Sequence, residues 1–202
     1  MASTINTWYL SGSIKGFGIK GDKYPKLWIS VEVAIPNKEP CSIFVNVDIS
    51  NDSSSKLGKQ SKFLTDSLSK DKYISIHEAM VAPIQASKKD EAGEWQKFER
   101  TSIKAKLYNV FVHDTPPPAL NLGIIRGKVV QQKDQKAIIE DRYLVPTDKT
   151  WKSRLVPVLL REDMCYKPLT NKNVLIVANI ASLTIENDTK LFGIANKLIV
   201  LE

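Results

Sequence analysis

A short pattern that occurs twice constrains the fold of this chain most. Residues 8–14 are Trp-Tyr-Leu-Ser-Gly-Ser-Ile and residues 125–129 are Ile-Arg-Gly-Lys-Val, so each segment alternates apolar and polar residues around a central glycine. A glycine inside a strand weakens it and usually marks a bulge or a sharp bend. Small closed β-barrels need such a bend in their long first strand. The pattern therefore predicts two small barrels in one chain.

The first half of the chain has the order of elements found in an OB-fold. Apolar and polar residues alternate in several runs, and one segment with several N-cap residues precedes apolar residues at helical spacing. We predict strands over 7–19, 27–35, 43–49, 73–83 and 95–112, a helix over 54–69 and a polar loop over 86–94. Three strands, one helix and two strands are the elements of this five-stranded Greek-key barrel.

A proline run divides the chain. Consecutive prolines at 116–118 cannot join a sheet ladder and favour an extended spacer. We predict an OB-fold domain that binds nucleic acid over 1–113, a linker over 114–119 and a second, diverged OB-fold-like domain over 120–202. The strands predicted in the second domain are 120–131, 137–145, 154–160, 174–184 and 191–201, and the loop 163–172 has no convincing helix. The predicted fold class is all-β and mainly antiparallel, with two OB-fold-like barrels in tandem.

The charge balance points to a polyanionic partner. The 202 residues carry a formal net charge of +7, and 43% of them are hydrophobic. This apolar content is enough for a core and excludes global disorder. The excess of Lys and Arg favours nucleic acid or an anionic membrane surface as the partner. The alternative is an ordinary basic protein with a solvated lysine surface.

Targeting signals and cysteine usage indicate the compartment. Cys41 and Cys165 have neither the spacing of a metal site nor the density of a disulfide scaffold. The first residues lack the basic and apolar regions of a signal peptide, and no apolar run is long enough to span a bilayer. We expect a protein of the cytoplasm, in a bacterium or a phage-infected host, without a membrane partner.

Residues for enzyme chemistry are mostly absent from the sequence. His77 and His113 have no partners at a metal-ligand spacing. The glycine-containing loop 15–21 lacks the Walker signature and leads into a strand, whereas a phosphate cradle needs a helix terminus. Asp48 and Asp52 have no third partner that would complete a nuclease metal pair. We therefore predict no catalytic residues, no metal and no cofactor.

Two aromatic residues are predicted on the outer face of the second and third strands. Aliphatic residues of one parity fill the barrel, so Trp28 and Phe44 point outward. In OB-folds this surface binds oligonucleotides, whose bases stack on aromatic rings. The residues expected to follow the nucleic-acid backbone nearby are Lys15, Lys20, Lys23, Tyr24 and Lys26. The alternative is that both rings pack against the second domain or another subunit.

Two further groups combine aromatic and basic residues. One lies at the mouth of the loop before the fifth strand, which often clamps a bound strand in OB-folds, and comprises Trp95, Lys97, Phe98 and Arg100. The other lies in the second half and comprises Arg126, Lys128, Arg142, Trp151, Lys152 and Arg154. The alternatives are a solvated hairpin tip for the first group, and a plug for a barrel end or plain solvent exposure for the second.

The first half of the chain resembles single-stranded DNA-binding proteins of the OB-fold class. The resemblance covers about residues 5–113 and is carried by the Leu-Ser-Gly-Ser-Ile strand at 10–14, by Trp28 and Phe44, and by the long loop before Trp95. It implies that these three rings stack on bases. The second half resembles the diverged second barrel of tandem proteins. The residues at 197–202 differ from the acidic, glycine- and proline-rich tail of bacterial members, which favours a phage or mobile-element type without tail-mediated recruitment.

These observations predict sequence-independent binding and protection of single-stranded DNA in replication, recombination or repair. Assembly of several copies is a further expectation. An RNA-binding module is one alternative, because base stacking alone does not separate RNA from DNA. A structural or adaptor protein that uses its barrels for protein contacts is another, and a nuclease would require metal-dependent cleavage.

Overall fold

The computed structural model describes residues 5–22, 25–89, 93–145, 149–185 and 188–201, and it describes side chains for these residues except 84–89, 97–100, 144–145, 184–185 and 188–189. The chain forms eleven strands and one α-helix within these residues. Their bounds are β1 Ile5–Lys20, β2 Lys26–Ile35, β3 Lys38–Asp48, α1 Lys56–Ser67, β4 Tyr73–Lys89, β5 Trp95–Ala105, β6 Val110–His113, β7 Asn121–Lys133, β8 Lys136–Val145, β9 Thr150–Leu159, β10 Asn173–Ile185 and β11 Asp188–Leu201.

The first five long strands close into a barrel. The pairing runs β1, β2, β3, β5 and β4, and β4 pairs back onto β1. All of these pairs are antiparallel except β3 with β5. The α1 helix lies between β3 and β4 in sequence, and the Ser55 side chain caps it by accepting a hydrogen bond from the Gly58 backbone N–H. The predicted order of three strands, a helix and two strands is confirmed.

The last five strands form a second barrel with the same connections. The pairing runs β7, β8, β9, β11 and β10, and β10 pairs back onto β7. Again one pair, β9 with β11, is parallel. A single 3-10 turn at Glu162–Met164 lies where the first barrel has α1. The predicted all-β fold of two OB-fold-like barrels is therefore confirmed, with a sheet that is mixed because each barrel contains one parallel pair.

The two barrels are joined by direct strand pairing. β1 pairs antiparallel with β7 from Ile5 with Arg126 to Leu10 with Asn121. The interiors of both barrels form one hydrophobic cluster, in which Trp8 is fully buried. The proline-containing segment before β7 also packs on the first barrel, because the Ser11 hydroxyl donates a hydrogen bond to the Pro118 carbonyl. The barrels therefore share a seam of backbone hydrogen bonds and a continuous core.

The repeated strand pattern has the same structural cause in both barrels. A Cβ atom on Gly12 would fall far inside van der Waals contact with the Glu32 carbonyl oxygen, and a Cβ on Gly127 would meet the Glu140 carbonyl in the same way. A register shift follows each glycine, at Lys15 in β1 and at the matching position in β7. The glycines therefore let the next strand approach closely, and the bulge lies just beyond them.

An asparagine with the same hydrogen-bonding role also occurs in both barrels, at the equivalent positions 6 and 121. The Asn6 carboxamide accepts a hydrogen bond from the Val81 backbone N–H (3.2 Å) and donates to its carbonyl (2.8 Å). Asn121 does the same with Ile180, at 2.7 Å and 3.0 Å. Each asparagine thus satisfies both backbone groups of a residue on the strand that closes its barrel. The two halves of the chain are copies of one structural unit.

Several predicted boundaries differ from the structure, including the start of β3, at Lys38 instead of 43, and the start of β9, at Thr150 instead of 154. β4 continues through Ala86 to Lys89, so the predicted loop over 86–94 is shorter. The single strand predicted over 95–112 is interrupted after Ala105 by the 3-10 turn Leu107–Asn109. A turn is predicted over 186–189 between the last two strands; its first two residues lie outside the described residues, and its last two already belong to β11, which begins at Asp188. No described helix is long and apolar enough to cross a membrane.

Candidate nucleic-acid interface

Two aromatic rings lie side by side on the outer face of the first barrel. Trp28 on β2 and Phe44 on β3 are both half-buried, and their ring centroids are 6.2 Å apart at an interplanar angle of 55°. Their neighbours Leu27, Ile29 and Val45 are fully buried in the barrel. The strand alternation therefore turns the aliphatic side chains inward and leaves the two rings outside. We call Trp28 and Phe44 the ring pair.

Two glycines of β1 provide the space for the Trp28 indole. A Cβ atom at Gly18 would lie 2.9 Å from the indole Cζ2 and Nε1 atoms, and a Cβ at Gly16 would lie 3.6 Å from Cζ3. Gly18 is also the register partner of Trp28 across the β1–β2 pair. The indole thus lies across the backbone of β1, and a side chain at Gly18 would push it away. The glycines at 16 and 18 therefore belong to the site.

The cations near the ring pair differ in how freely their charge is available. Lys15 forms an ion pair of 2.8 Å with Glu32, which lies on the same outer face. Lys20 and Lys26 are exposed and face one another across the β1–β2 pair. No described residue forms an ion pair with either of them. Among the described residues at this end of the barrel, Lys20 and Lys26 are therefore available positive charges, whereas Lys15 is offset by Glu32.

Some predicted residues fall outside what the structure describes. Lys23 and Tyr24, in the loop between β1 and β2, lie outside the described residues. Lys97, Phe98 and Arg100 lie in β5, and their side chains are outside the described set. Their contribution to the site rests on sequence alone.

The β4–β5 hairpin presents one large ring to solvent. Trp95 opens β5, pairs in register with Lys89 of β4 and is 66% exposed. An exposed aromatic ring of this size can stack on another ring. The hairpin extends well beyond the barrel, because the β4–β5 pairing continues from Met80 with Lys104 to the Trp95 position. Trp95 is therefore an exposed ring on a hairpin separate from the ring pair.

The second barrel presents its aromatic and basic residues on other elements. Trp151, at the start of β9, is 50% exposed, and Arg142 and Lys152 on the same hairpin are exposed. Arg126 on β7 is half-buried, whereas Lys128 is exposed. The structure does not bring these residues into contact with the ring pair of the first barrel.

Arg154 has a structural position that its sequence does not indicate. Its guanidinium forms an ion pair of 2.7 Å with the buried Asp141, and its Cζ lies 4.1 Å from the centre of the Tyr143 ring. It also donates a hydrogen bond to the Met80 sulfur on β4 of the other barrel. Asp141 in turn accepts a hydrogen bond from Asn6. Arg154 therefore belongs to a buried polar network between the barrels.

The site residues that the sequence does not indicate are those whose role depends on contacts between strands. Gly16 and Gly18 lie in the predicted first strand and in the glycine-containing loop, without a predicted role at the ring pair, and Glu32 has no predicted role either. A cue for the glycines exists, because two glycines at alternate positions leave one face of a strand flat. No cue in the sequence connects Asp141 with Arg154. Among the described residues, no group of three His, Cys, Asp or Glu side chains is placed to hold a metal ion.

Comparisons with known proteins support the architecture. No protein-family model matches the chain, and no curated protein matches it. Among solved structures, the chain is similar over 100% of its length to a deletion mutant of the single-stranded DNA binding protein from Thermus aquaticus, with a TM-score of 0.66 and 16% identity, covering 97% of that chain. The wild-type protein from the same organism matches with a TM-score of 0.63 and 16% identity, covering 95% of that chain. The chain therefore shares, over its whole length, the fold of a single-stranded DNA binding protein.

Proposed function

We propose that this protein binds single-stranded DNA without sequence preference through the outer face of its first barrel. The observation that carries the proposal is the ring pair, Trp28 beside Phe44, with the indole lying across Gly16 and Gly18. Each base has an aromatic face, so a ring platform binds bases without distinguishing their sequence. The solved structures that share the fold are described as single-stranded DNA binding proteins, which supports the same conclusion.

The proposed mechanism combines stacking with charge. Each stacked base contributes about 1–3 kcal/mol. Lys20 and Lys26 lie at the end of the same hairpin and contact the phosphates that flank the stacked bases. Lysines that bind phosphates release condensed counterions, so the affinity falls as salt rises. Trp95, with Lys97, Phe98 and Arg100 on the same hairpin, extends the bound path. In the second barrel, Trp151 adds a ring beside Arg142 and Lys152.

The biological role we propose is protection of single strands exposed during replication, recombination or repair. Binding that depends on stacking and phosphate charge covers any exposed strand, which is what such protection requires. Arg154 is not part of the proposed interface, because its charge is satisfied by Asp141 inside the protein.

A binding titration tests this proposal. A fluorescein-labelled oligo-dT of about 30 nucleotides is titrated with the protein at low and high salt, and anisotropy and tryptophan quenching are followed together. We expect tight binding that weakens with salt and quenching that falls in Trp28→Ala. An absence of binding at low salt would refute the proposal. A matched oligo-U strand tests the RNA alternative. If the protein binds oligo-U more tightly than oligo-dT, RNA and not DNA is its ligand.

A further inference from the structure

The two barrels are copies of one unit, so each position of the ring pair and its glycines has an equivalent in the second barrel. The matching glycines Gly12 and Gly127, and the bulges that follow them, align β1 with β7. Beyond the bulge, Gly16 corresponds to Gln131 and Gly18 corresponds to Lys133. Both equivalents carry long side chains. The flat backbone surface that accommodates the Trp28 indole is therefore absent from the second barrel.

The ring positions themselves are also replaced. Gly18 pairs with Trp28, whereas its equivalent Lys133 pairs with Lys136. In the same alignment Ser30 corresponds to Ile138. Their register partners, Phe44 and Pro157, therefore correspond to one another. The second barrel thus has a lysine where the first has its tryptophan and a proline where the first has its phenylalanine. At the positions equivalent to the ring pair, the second barrel therefore has no aromatic platform.

The replacement places two like charges directly opposite one another. Lys133 and Lys136 are exposed register partners at the end of the β7–β8 pair, and like charges in such positions are destabilising. No described acidic group forms an ion pair with either lysine. The nearest acidic residues in sequence are Asp134, in the turn between them, and Glu140, which pairs in register with Lys128. An anion bound between the lysines would relieve their repulsion.

From these substitutions we infer that the two barrels bind different parts of the same DNA strand, an inference that rests on the proposed function. The first barrel stacks bases on the ring pair, and the equivalent positions of the second barrel bind the phosphate backbone of the same strand through Lys133 and Lys136. Lys20 and Lys26 also face one another at the end of the β1–β2 pair, where Lys26 has Asp48 as its other register partner on β3. The β1–β2 and β7–β8 hairpins therefore each offer a pair of lysines to phosphates, and only the first has an aromatic ring at the equivalent position.

The salt dependence of binding separates these contributions. Each phosphate contact to a single strand adds about 0.7 to the slope of log affinity against log salt. For the 30-nucleotide oligo-dT, we expect the variant with Lys133→Ala and Lys136→Ala to lose about 1.4 from this slope, with Trp28 quenching at saturation unchanged. A variant with Lys133→Arg and Lys136→Arg should keep the slope. A matched charge control, Lys59→Ala with Lys70→Ala near α1, should also keep it.

The measurement distinguishes a failure of this inference from a failure of the proposed function. If the wild-type protein fails to bind, the proposed function itself is wrong. If it binds with Trp28-dependent quenching and the alanine pair has the slope of the Lys59 and Lys70 control, only the inference about the second barrel is wrong. Should the alanine pair fail to fold, as judged by far-UV circular dichroism, Lys133→Gln with Lys136→Gln is measured instead, with the same slopes deciding.

Discussion

The Trp8 indole lies against Gly123 across the strand pair that joins the barrels. The two residues are register partners, and each lies four positions before the central glycine of its own barrel, at Gly12 and Gly127. They are therefore equivalent positions that meet at the centre of the duplicated unit. Because the fully buried ring occupies the space where a Gly123 side chain would project, only one of the two copies accommodates a tryptophan.

The first prediction concerns this contact. Gly123→Ala should destabilise the protein by about 1–3 kcal/mol, because its Cβ would overlap a Trp8 ring that is enclosed on all sides. Gly193→Ala is the matched control, since its Cβ would lie 3.3 Å from the same ring and require only a small shift. Urea midpoints measure both variants. Equal midpoints for the two would contradict the account.

The second prediction concerns the position of the Trp28 ring. Gly18→Val should displace the indole and reduce affinity for oligo-dT by about the 1–3 kcal/mol of one stacked base. Gly16→Ala should bind nearly as the wild type does, because its Cβ would be at an ordinary 3.6 Å from the ring. Anisotropy titrations compare the two, and unchanged binding by Gly18→Val would show that the position of the ring is irrelevant.

The third prediction concerns the buried ion pair. Arg154→Met removes the partner of a carboxylate that is almost fully buried, so it should cost about 3–5 kcal/mol of stability. The double variant with Asp141→Asn should be less destabilised than Arg154→Met alone, because no uncompensated charge remains. Denaturant unfolding measures both. A double variant that is the less stable of the two would refute this interpretation of the pair.

The fourth prediction follows from the repeated asparagines. Asn6→Ala and Asn121→Ala should each destabilise by about 1–3 kcal/mol, since each leaves both backbone groups of one residue without a partner. Asn51→Ala, at an exposed position where the side chain donates a long hydrogen bond of 3.4 Å to the Asp22 carbonyl, should have little effect. Thermal unfolding compares the three, and a loss confined to one of the two repeated asparagines would argue against their equivalence.

Much of the fold follows from strand alternation and glycine placement, because both are local. The central glycines indicate two barrels. The outward direction of Trp28 and Phe44 follows from the aliphatic residues that alternate with each of them along its strand. The break after Ala105 was not predicted, since Lys106 continues the alternating pattern into the 3-10 turn.

The remaining features depend on register and on contacts between distant segments. The bulge at Lys15 sets which glycines of β1 lie under the Trp28 ring, and a shift of one residue would turn other side chains toward it. The sequence around Arg154 does not distinguish it from an arginine that binds phosphate. Its partner Asp141 lies opposite it in the register of the β8–β9 pair, and its partner Met80 is brought to it by the packing of the barrels.

The most direct test of the central claim is base stacking on Trp28 itself. A variant with Trp95→Phe and Trp151→Phe leaves Trp28 and the buried Trp8 as the only tryptophans, so its fluorescence reports chiefly on the ring pair. Saturation with oligo-dT should quench this variant strongly, and adding Trp28→Phe should abolish the quenching. Retention of the quenching without Trp28, or no quenching in its presence despite binding, would contradict the account.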